Sequence, residues 1–264
     1  ASSLAKEVIK NEGLILENAE VTRILMENGR AVGAETFDGY RIKAKAVVSS
    51  LDPQTTFLKL VGKENLPPDL AGYAARWQWD TSSFFTTPVA LNEPLQYKAD
   101  DREIDKAFMN IIGIESMEDV IRLIEGAKAG RVEVVAGHAT VETIYDQTLT
   151  RVPGKHTAFF QMVAPSQIEG GWEEKHAEVE EKVLSTWSEY VSNDLTGNII
   201  MTSSESPLDI ERRIPCMKYG SIKHGEYNSM QMGTMRPNDL CSRTSTPLDG
   251  LYVCGASTYP GGLV

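Results

Sequence analysis

The sequence predicts a mixed α/β fold, and three observations carry that prediction. Near the end of the chain, Leu251–Cys254 form a short apolar run of the kind that a buried parallel strand needs. In the first fifty residues, short apolar runs are separated by Asn-Gly and Asp-Gly pairs, which are strong turn signals. In the middle of the chain, longer aromatic-rich strands alternate with amphipathic helical patterns.

The N-terminal segment is predicted to contain a helix, an apolar strand and a three-stranded meander. Residues 4–12 have the pattern of an amphipathic helix that ends before Gly13, and 13–17 reads as a short strand. The turn at Asn28-Gly29 predicts a hairpin between its flanking runs. The strands after residue 20 are predicted over 21–27, 31–37, 40–44 and 46–50. A helix then opens at Asp52-Pro53.

A second region is predicted to begin after Pro67-Pro68. The helix that Ser116 caps is expected to end near Gly130, because a serine N-cap satisfies free backbone N–H groups. The clearest helix is 172–191, in which apolar residues fall on one face and glutamates occupy the rest. The strands of this region are predicted over 83–91, 107–112, 132–136 and 157–163. Such a sheet can serve as a hydrophobic core or as a wall for an apolar ligand.

The overall composition excludes several classes of function. A formal net charge of −11 argues against a nucleic-acid partner, because phosphate backbones are bound by Lys and Arg. No apolar run reaches the length of a membrane span, and we expect a cytoplasmic protein, with peripheral membrane contact left open. Cys216, Cys241 and Cys254 are widely spaced, which favours free thiols over a disulfide framework or a zinc site. We expect no metal centre.

The terminal loop carries the clearest functional signal. After the strand at 251–254, Gly255 and Pro260-Gly261-Gly262 flank a run of small residues. Glycines after a strand let the backbone approach a ligand closely, and free N–H groups there can hold a phosphate or a ring edge. The loop is therefore predicted to bind a cofactor.

These motifs, in this order, resemble those of the phytoene desaturase-like flavoproteins, which are FAD-dependent oxidoreductases of the amine oxidase-type superfamily. The resemblance covers nearly the whole chain. It is carried by Val-Val-Ser-x-x-Asp-Pro at 47–53, the stretch at 152–159 that contains His156, Arg236-Pro237 and, most specifically, the glycine loop at 251–262. It implies an enzyme that uses FAD to remove hydride from an apolar substrate, with isoprenoids as a candidate class.

The resemblance also implies a set of cofactor-binding residues. The small residues after Cys254 would pass the phosphates and ribityl chain of FAD, and the following Pro-Gly-Gly would pass close to the flavin ring. The backbone of Val21 would face the adenine. The full set is Val21, Ser49, Ser50, Gly255, Ala256, Ser257, Pro260, Gly261 and Gly262.

One departure from the family pattern stands out. Such enzymes open with a strand and a G-x-G-x-x-G turn that holds the pyrophosphate, and this sequence contains no such turn. We therefore expect a fragment in which 1–62 and 226–264 form part of an FAD-binding domain, truncated before its C-terminal helix, and 63–225 forms a substrate domain. Tight FAD binding and activity of this chain alone are in doubt. The alternative is a non-catalytic lipid-binding or protein-interaction module.

The sequence names no catalytic base. His156 precedes a strand, where a hydrogen-bonded structural role is favoured. A polar stretch before the terminal loop could face a cofactor or form a surface crossing; it contains Tyr219, His224, Tyr227 and Gln231. An amine-oxidising relative would need an aromatic cage at the flavin, and four aromatic residues do not by themselves establish one: Trp77, Trp79, Phe84 and Phe85.

Overall fold

The computed structural model describes residues 2–262 and forms two compact units. One unit combines the chain up to Trp77 with the chain from Asn228 onward, and the other is Gln78–Tyr227. We call them the split unit and the central unit. The assignment of an FAD-binding role to the first and a substrate role to the second stays a prediction.

The split unit contains the expected meander. Strands β1 (Val21–Glu27), β2 (Arg30–Thr36) and β3 (Arg41–Lys43) pair antiparallel in sequence order. The turn between β1 and β2 places Asn28 at φ 49° and Gly29 at φ 79°. Both values lie in the left-handed region that a two-residue hairpin loop requires, which explains why Asn-Gly predicted it correctly.

A two-stranded parallel sheet joins the two ends of the split unit. Strand β4 (Val47–Ser49) pairs with β10 (Leu251–Val253), so residues about two hundred apart in sequence lie side by side. Leu251 and Val253 are buried. The prediction of a buried parallel strand at this position is confirmed.

The split unit also contains helices. They are α1 (Ser2–Lys10), a π-helix (Gln54–Gly62) and α2 (Pro68–Ala75). The π-helix buries Phe57 and Leu60 in the same hydrophobic cluster as Ile24 and Leu251. The helix after Asp52-Pro53 therefore supplies much of the core beneath β4 and β10.

The predicted strand over 13–17 is wrong. This segment has no regular structure, and Leu14 is 79% exposed. A strand is stabilised by cross-strand pairs rather than by its own sequence, and within the described residues no strand pairs with this run.

The central unit is built on a five-stranded antiparallel sheet in the order β6-β7-β8-β5-β9. Its longest ladder joins β5 and β8 over ten residue pairs, from Ser82↔Pro165 to Leu91↔His156. The strands are β5 (Ser82–Leu91), β6 (Asn110–Ile112), β7 (Gly137–Thr140), β8 (His156–Pro165) and β9 (Ile199–Thr202). The predictions for β5 and β8 are confirmed.

Two strand predictions in the central unit need correction. Of 107–112, only the last three residues form β6, and 132–136 is irregular, with β7 beginning at Gly137. A Cβ on Gly137 would lie 2.1 Å from the carbonyl oxygen of Gln161, so only glycine permits this close pairing with β8. Val132 and Val135 pack against the hydrophobic core without joining the β-ladder, so the apolar side chains that predicted a strand here contribute to packing only.

Four helices accompany the sheet: α3 (Met117–Lys128), α4 (Trp172–Tyr190), α5 (Leu195–Asn198) and α6 (Pro207–Arg213). The predicted cap of α3 is confirmed as a capping box between Ser116 and Asp119. Helix α4 covers one face of the sheet, where Trp187 contacts Phe160 with ring centroids 5.6 Å apart. Across residues 2–262, no helix combines the length and apolar character needed to cross a bilayer.

Candidate functional site

The carboxyl ends of β4 and β10 form a shared edge, because the two strands run parallel. Val253 pairs with Ser49, and the N–H of Cys254 donates to the carbonyl oxygen of Ser49 at 2.9 Å. This pairing brings Ser49 and Ser50 beside the start of the terminal loop at Gly255. Ligands of α/β sheets bind at such carboxyl ends, so this edge is the first candidate for a cofactor site.

The backbone of the terminal loop offers several hydrogen-bond donors. Gly255 is exposed and has a φ of 85°, and its missing Cβ would stand 3.4 Å from the Ser50 carbonyl oxygen. Within the described part of the chain, the N–H groups of Gly255, Ala256 and Ser257 have no protein acceptor. Consecutive free N–H groups around a left-handed residue create an anion-binding concavity. The edge can therefore receive a phosphate or a carbonyl oxygen.

The serine hydroxyls at this edge are used differently. Ser49 is buried, and its Oγ lies 2.7 Å from Thr56 Oγ1, which ties β4 to the π-helix. Ser257 is also buried and donates its hydroxyl to the Leu51 carbonyl oxygen at 3.1 Å. Ser50 is exposed. The hydroxyls of Ser49 and Ser257 thus shape the edge, and Ser50 is the serine whose side chain faces outward.

Asp52 is a residue of this edge to which the sequence assigned only the start of a helix. It has no exposed surface, and its Oδ1 accepts the Thr55 N–H at 2.9 Å. Among residues 2–262, its Oδ2 has no hydrogen-bond partner. A buried acceptor without a donor is costly, and a ligand hydroxyl would satisfy it. The Val-Val-Ser-x-x-Asp-Pro motif was the signal that could have identified it.

Arg236 supports the loop from inside the split unit. The side chain has no exposed surface, and its Nε donates to the Ala256 carbonyl oxygen at 2.8 Å. Its Nη1 donates to the Gln231 carbonyl oxygen at 2.8 Å, and the guanidinium lies 5.0 Å from the centre of the Trp77 ring. A buried cation fixed in this way orients the peptide at 256 and adds positive potential beneath the loop. The sequence placed Arg236 only within a family motif.

The remaining predicted cofactor residues lie at two places. Pro260 is exposed, whereas Gly261 and Gly262 are half-buried, and Gly261 has a φ of 135°. Val21 opens β1 in the meander and packs at the margin of the core of the split unit. The parallel edge therefore collects Ser49, Ser50 and residues 255–257, while Val21 belongs to another sheet.

In the central unit, the sheet face opposite α4 is incompletely covered. Burial alternates along β5 and β8: Phe85 and Phe160 are fully buried, whereas their neighbours Phe84 and Phe159 are half-buried. The pairs Phe84↔Val163, Thr86↔Gln161 and Ala90↔Thr157 continue that second face across the ladder. We call it the open face. It combines aromatic and aliphatic side chains with the polar side chains of Thr86, Thr157 and Gln161, and its apolar part can serve as a wall for a ligand.

His138 is the histidine of the open face. It pairs with Gln161 in the register of β7 and β8, and its ring meets the Phe159 ring edge-on, with centroids 5.5 Å apart. Partial burial lowers the pKa of His138 below its ordinary value of 6.5. The imidazole is therefore neutral near pH 7 and can accept a proton.

The structure gives His156 an internal role. Its Nδ1 lies 3.0 Å from Thr143 Oγ1, and that same hydroxyl accepts the N–H of Thr157 at 3.1 Å. This network fixes the start of β8 against the loop before it. The hydrogen-bonded structural interpretation of His156 accounts for these contacts.

The other polar and aromatic candidates are dispersed. Tyr219, His224 and Tyr227 belong to the central unit, whereas Gln231 belongs to the split unit. The four candidate cage aromatics are likewise divided, since Trp77 stacks under Arg236 in one unit and Phe85 stacks on Trp172 in the core of the other. Across the described residues, no group of three or more His, Cys, Asp or Glu side chains could hold a metal ion.

Comparison with known proteins supports this interpretation of the fold. No family model matches the chain. The chain is 36% identical over 279 aligned positions to a limonene dehydrogenase subunit from Castellaniella defragrans, covering all of this chain and 51% of that protein. It is 26% identical to the chloroplastic prolycopene isomerase of Daucus carota, covering 99% of this chain and 39% of that protein.

These relatives bear out the resemblance of the chain to the phytoene desaturase-like flavoproteins. A solved oxidoreductase from Methanosarcina mazei shares its fold, with a TM-score of 0.55, 18% identity, and coverage of 97% of this chain and 48% of that one. The chain spans about half the length of the relatives it matches. The mixed α/β fold class predicted from the sequence is confirmed.

Proposed function

We propose that the chain is part of an FAD-dependent oxidoreductase that removes hydride from an apolar, isoprenoid-like substrate. One observation carries the proposal: the terminal loop presents three consecutive unbonded N–H groups beside a parallel strand edge, above the buried guanidinium of Arg236. Donors and positive potential of this kind suit an anionic, hydrogen-bonding cofactor.

The residues of the edge fit a dinucleotide in chemical terms. The N–H groups after Cys254 would bind phosphate or flavin oxygens, and Gly255 would leave room for the cofactor to approach the backbone. The partnerless Oδ2 of Asp52 would accept a hydroxyl group of the sugar or ribityl portion. When bound, FAD supplies the acceptor for a hydride, which the protein side chains cannot supply themselves.

The open face of the central unit supports an apolar substrate. Phe84, Phe159 and Val163 provide half-buried hydrophobic surface that a hydrocarbon would cover. The names of the two relatives refer to limonene and prolycopene, both unsaturated isoprenoid hydrocarbons. We infer a substrate of that class. Desaturation also releases a proton, and neutral His138 on this face is the side chain we propose to receive it.

The test uses the full-length protein encoded by the gene. We expect a yellow protein whose flavin absorbance bleaches when an unsaturated isoprenoid is added without oxygen. A full-length protein that is purified without flavin, and stays colourless after incubation with FAD, would refute the proposal. A flavin-loaded protein that no isoprenoid bleaches would refute the substrate class alone.

A second candidate is a non-catalytic lipid-binding or interaction module, and the open face is the observation that favours it. Such a module would hold an isoprenoid without flavin. It predicts isoprenoid binding that is unchanged by FAD, whereas the oxidoreductase predicts reduction of the flavin by the same compound. Cytoplasmic location and peripheral membrane contact stay predictions.

A further inference from the structure

Cys216 and His224 form a thiol–imidazole pair that the proposed oxidoreductase does not use. The Sγ of Cys216 lies 3.8 Å from the Nε2 of His224, within hydrogen-bonding range for sulfur. Cys216 is half-buried and His224 is buried, so the thiol is the more accessible partner. Both belong to the central unit. A neighbouring imidazole that takes up the thiol proton leaves the nucleophilic thiolate.

The turn that carries His224 is held firmly. Ser221 Oγ donates to Asp80 at 2.5 Å and accepts the N–H of Gly225 at 2.8 Å, which brackets His224 on both sides. Lys223 forms an ion pair with the same carboxylate at 2.8 Å. The N–H of His224 itself donates to the Ser221 carbonyl oxygen. The position of the imidazole is therefore set by the fold.

The loop that carries Cys216 is also anchored. It follows α6, and the N–H of Met217 donates to the Ile214 carbonyl oxygen at 2.8 Å. Further along, Ser83 donates its hydroxyl to the carbonyl oxygen of Gly220 at 2.6 Å. The pair is thus bracketed by contacts to α6 and to β5, and the two side chains are held together by a prearranged loop.

The other two cysteines have different surroundings. Cys241 is fully buried, and burial raises the pKa of its thiol to about 12, so it stays protonated. Cys254 is half-buried at the end of β10. Across the described residues, Cys216 alone has a histidine within hydrogen-bonding distance of its sulfur. The chain therefore contains two internal controls for the reactivity of one thiol.

Local charge indicates which electrophiles would approach. Residues 212–224 contain four basic side chains and no acidic one, in a chain whose net charge is −11. They are Arg212, Arg213, Lys218 and Lys223. The ammonium of Lys218 lies over the Trp79 ring, 5.7 Å from its centre. Three of these cations form ion pairs, Arg212 with Glu173, Arg213 with Glu205 and Lys223 with Asp80. Among the described residues Lys218 forms no ion pair, so its ammonium is the charge that would draw small anions toward the thiol.

We propose that Cys216 and His224 form a covalent modification site for small anionic disulfides. The thiolate of Cys216 attacks one sulfur of the disulfide, a new sulfur–sulfur bond forms, and the original one breaks. His224 takes the thiol proton and returns it to the departing thiolate. The product is a mixed disulfide at Cys216 and one free small thiol, so atoms and electrons balance.

The experiment measures the rate of modification of each cysteine in the full-length protein. Glutathione disulfide is the anionic probe, hydroxyethyl disulfide the neutral one and cystamine the cationic one, and peptide mass mapping identifies the modified residue. We expect Cys216 to react about ten-fold faster than Cys254, because a free cysteine is only about one-tenth thiolate near pH 7.5. We expect Cys241 to stay unmodified, and the anionic probe to be the fastest at Cys216.

Two variants separate the roles of the pair and the charge. His224→Gln should slow modification of Cys216 about ten-fold and leave the rate at Cys254 unchanged. Lys218→Gln should slow the anionic probe alone. Because Cys241 is buried, its modification would report that a variant has unfolded. If a variant unfolds, the proposal is judged from the order of the cysteine modification rates in the unmutated protein. The proposal is overturned if Cys216 reacts no faster than Cys254, or if a folded His224→Gln protein keeps the full rate.

Discussion

The terminal-loop edge and the open face present two different kinds of surface. The edge is lined by backbone N–H groups, with glycine at the closest approach and buried hydroxyls that serve the fold. The open face is lined by side chains that alternate with the core along β5 and β8. Backbone donors tolerate changes of side chain, whereas a side-chain wall changes with every substitution. This difference is the basis on which we propose the edge for the cofactor and the open face for the substrate.

The adjacent residues Phe160 and Phe159 test the two faces of one strand. Phe160 is fully buried against Trp187, and Phe160→Ala should lower the free energy of unfolding by about 3–5 kcal/mol because it leaves a cavity. Phe159→Ala should cost about 1 kcal/mol or less and instead raise KM for the apolar substrate. Chemical denaturation and steady-state kinetics measure these effects. Equal losses of stability would remove the distinction between core and open face.

Arg236 tests the support of the loop. Arg236→Met should destabilise the fold by about 2–4 kcal/mol, because the carbonyl oxygens of Ala256 and Gln231, one partly buried and one buried, lose charged donors. It should also weaken FAD binding, since the peptide at Ala256 is no longer held. Arg23→Met removes an arginine from an exposed ion pair with Glu35 and should cost under about 1 kcal/mol. Denaturant titration compares them, and similar costs would contradict the role given to Arg236.

His138 should make the function of the open face depend on pH. Burial lowers the pKa of His138, which means that the folded state favours the neutral ring. The stability that comes from this preference is therefore fully present above pH 6.5 and declines as pH falls below that value. We expect kcat to decrease as pH falls through the lowered pKa of His138, because the protonated ring cannot accept a proton. The His138→Gln variant should lack this decrease in its pH profile. NMR titration of the His138 ring provides the direct measurement. A pKa at or above 6.5 would contradict this assignment.

The smallest expected effect concerns the N-terminal cap of α3, which belongs neither to the terminal-loop edge nor to the open face. The hydroxyl of Ser116 and neighbouring backbone groups lower the pKa of Asp119 below its ordinary 3.8. The stabilisation from this capping box is therefore present above pH 3.8 and is lost as pH falls through the lowered pKa. Ser116→Ala should return the pKa of Asp119 toward 3.8 in a carboxyl NMR titration, with FAD binding unchanged. An unchanged pKa would show that the serine hydroxyl does not cause the shift.

The sequence predicts those parts of the fold that local chemistry determines. Asn28-Gly29 specified its hairpin through left-handed backbone, Ser116 specified its cap, and the apolar run at 251–253 specified a buried strand. The strand predictions for 13–17 and 132–136 were wrong, because whether an apolar segment joins a sheet depends on partner strands elsewhere in the chain.

The same limit applies to the candidate site. Gly255 could be predicted as a close-approach residue because its chemistry is local. The contacts of Arg236 with Ala256, twenty residues away, and the partnerless oxygen of Asp52 depend on tertiary packing. The motifs that contain these residues were visible in the sequence, but only the folded arrangement shows what each side chain does.

The most direct test of the central claim compares two glycines with left-handed backbone in the full-length protein. Gly255 and Gly29 have φ values of 85° and 79°, so alanine strains both by about 1 kcal/mol. FAD affinity, measured by fluorescence titration, should fall at least ten-fold in Gly255→Ala and stay unchanged in Gly29→Ala. Equal FAD affinity in the two folded variants would contradict the claim that the terminal loop binds the flavin cofactor.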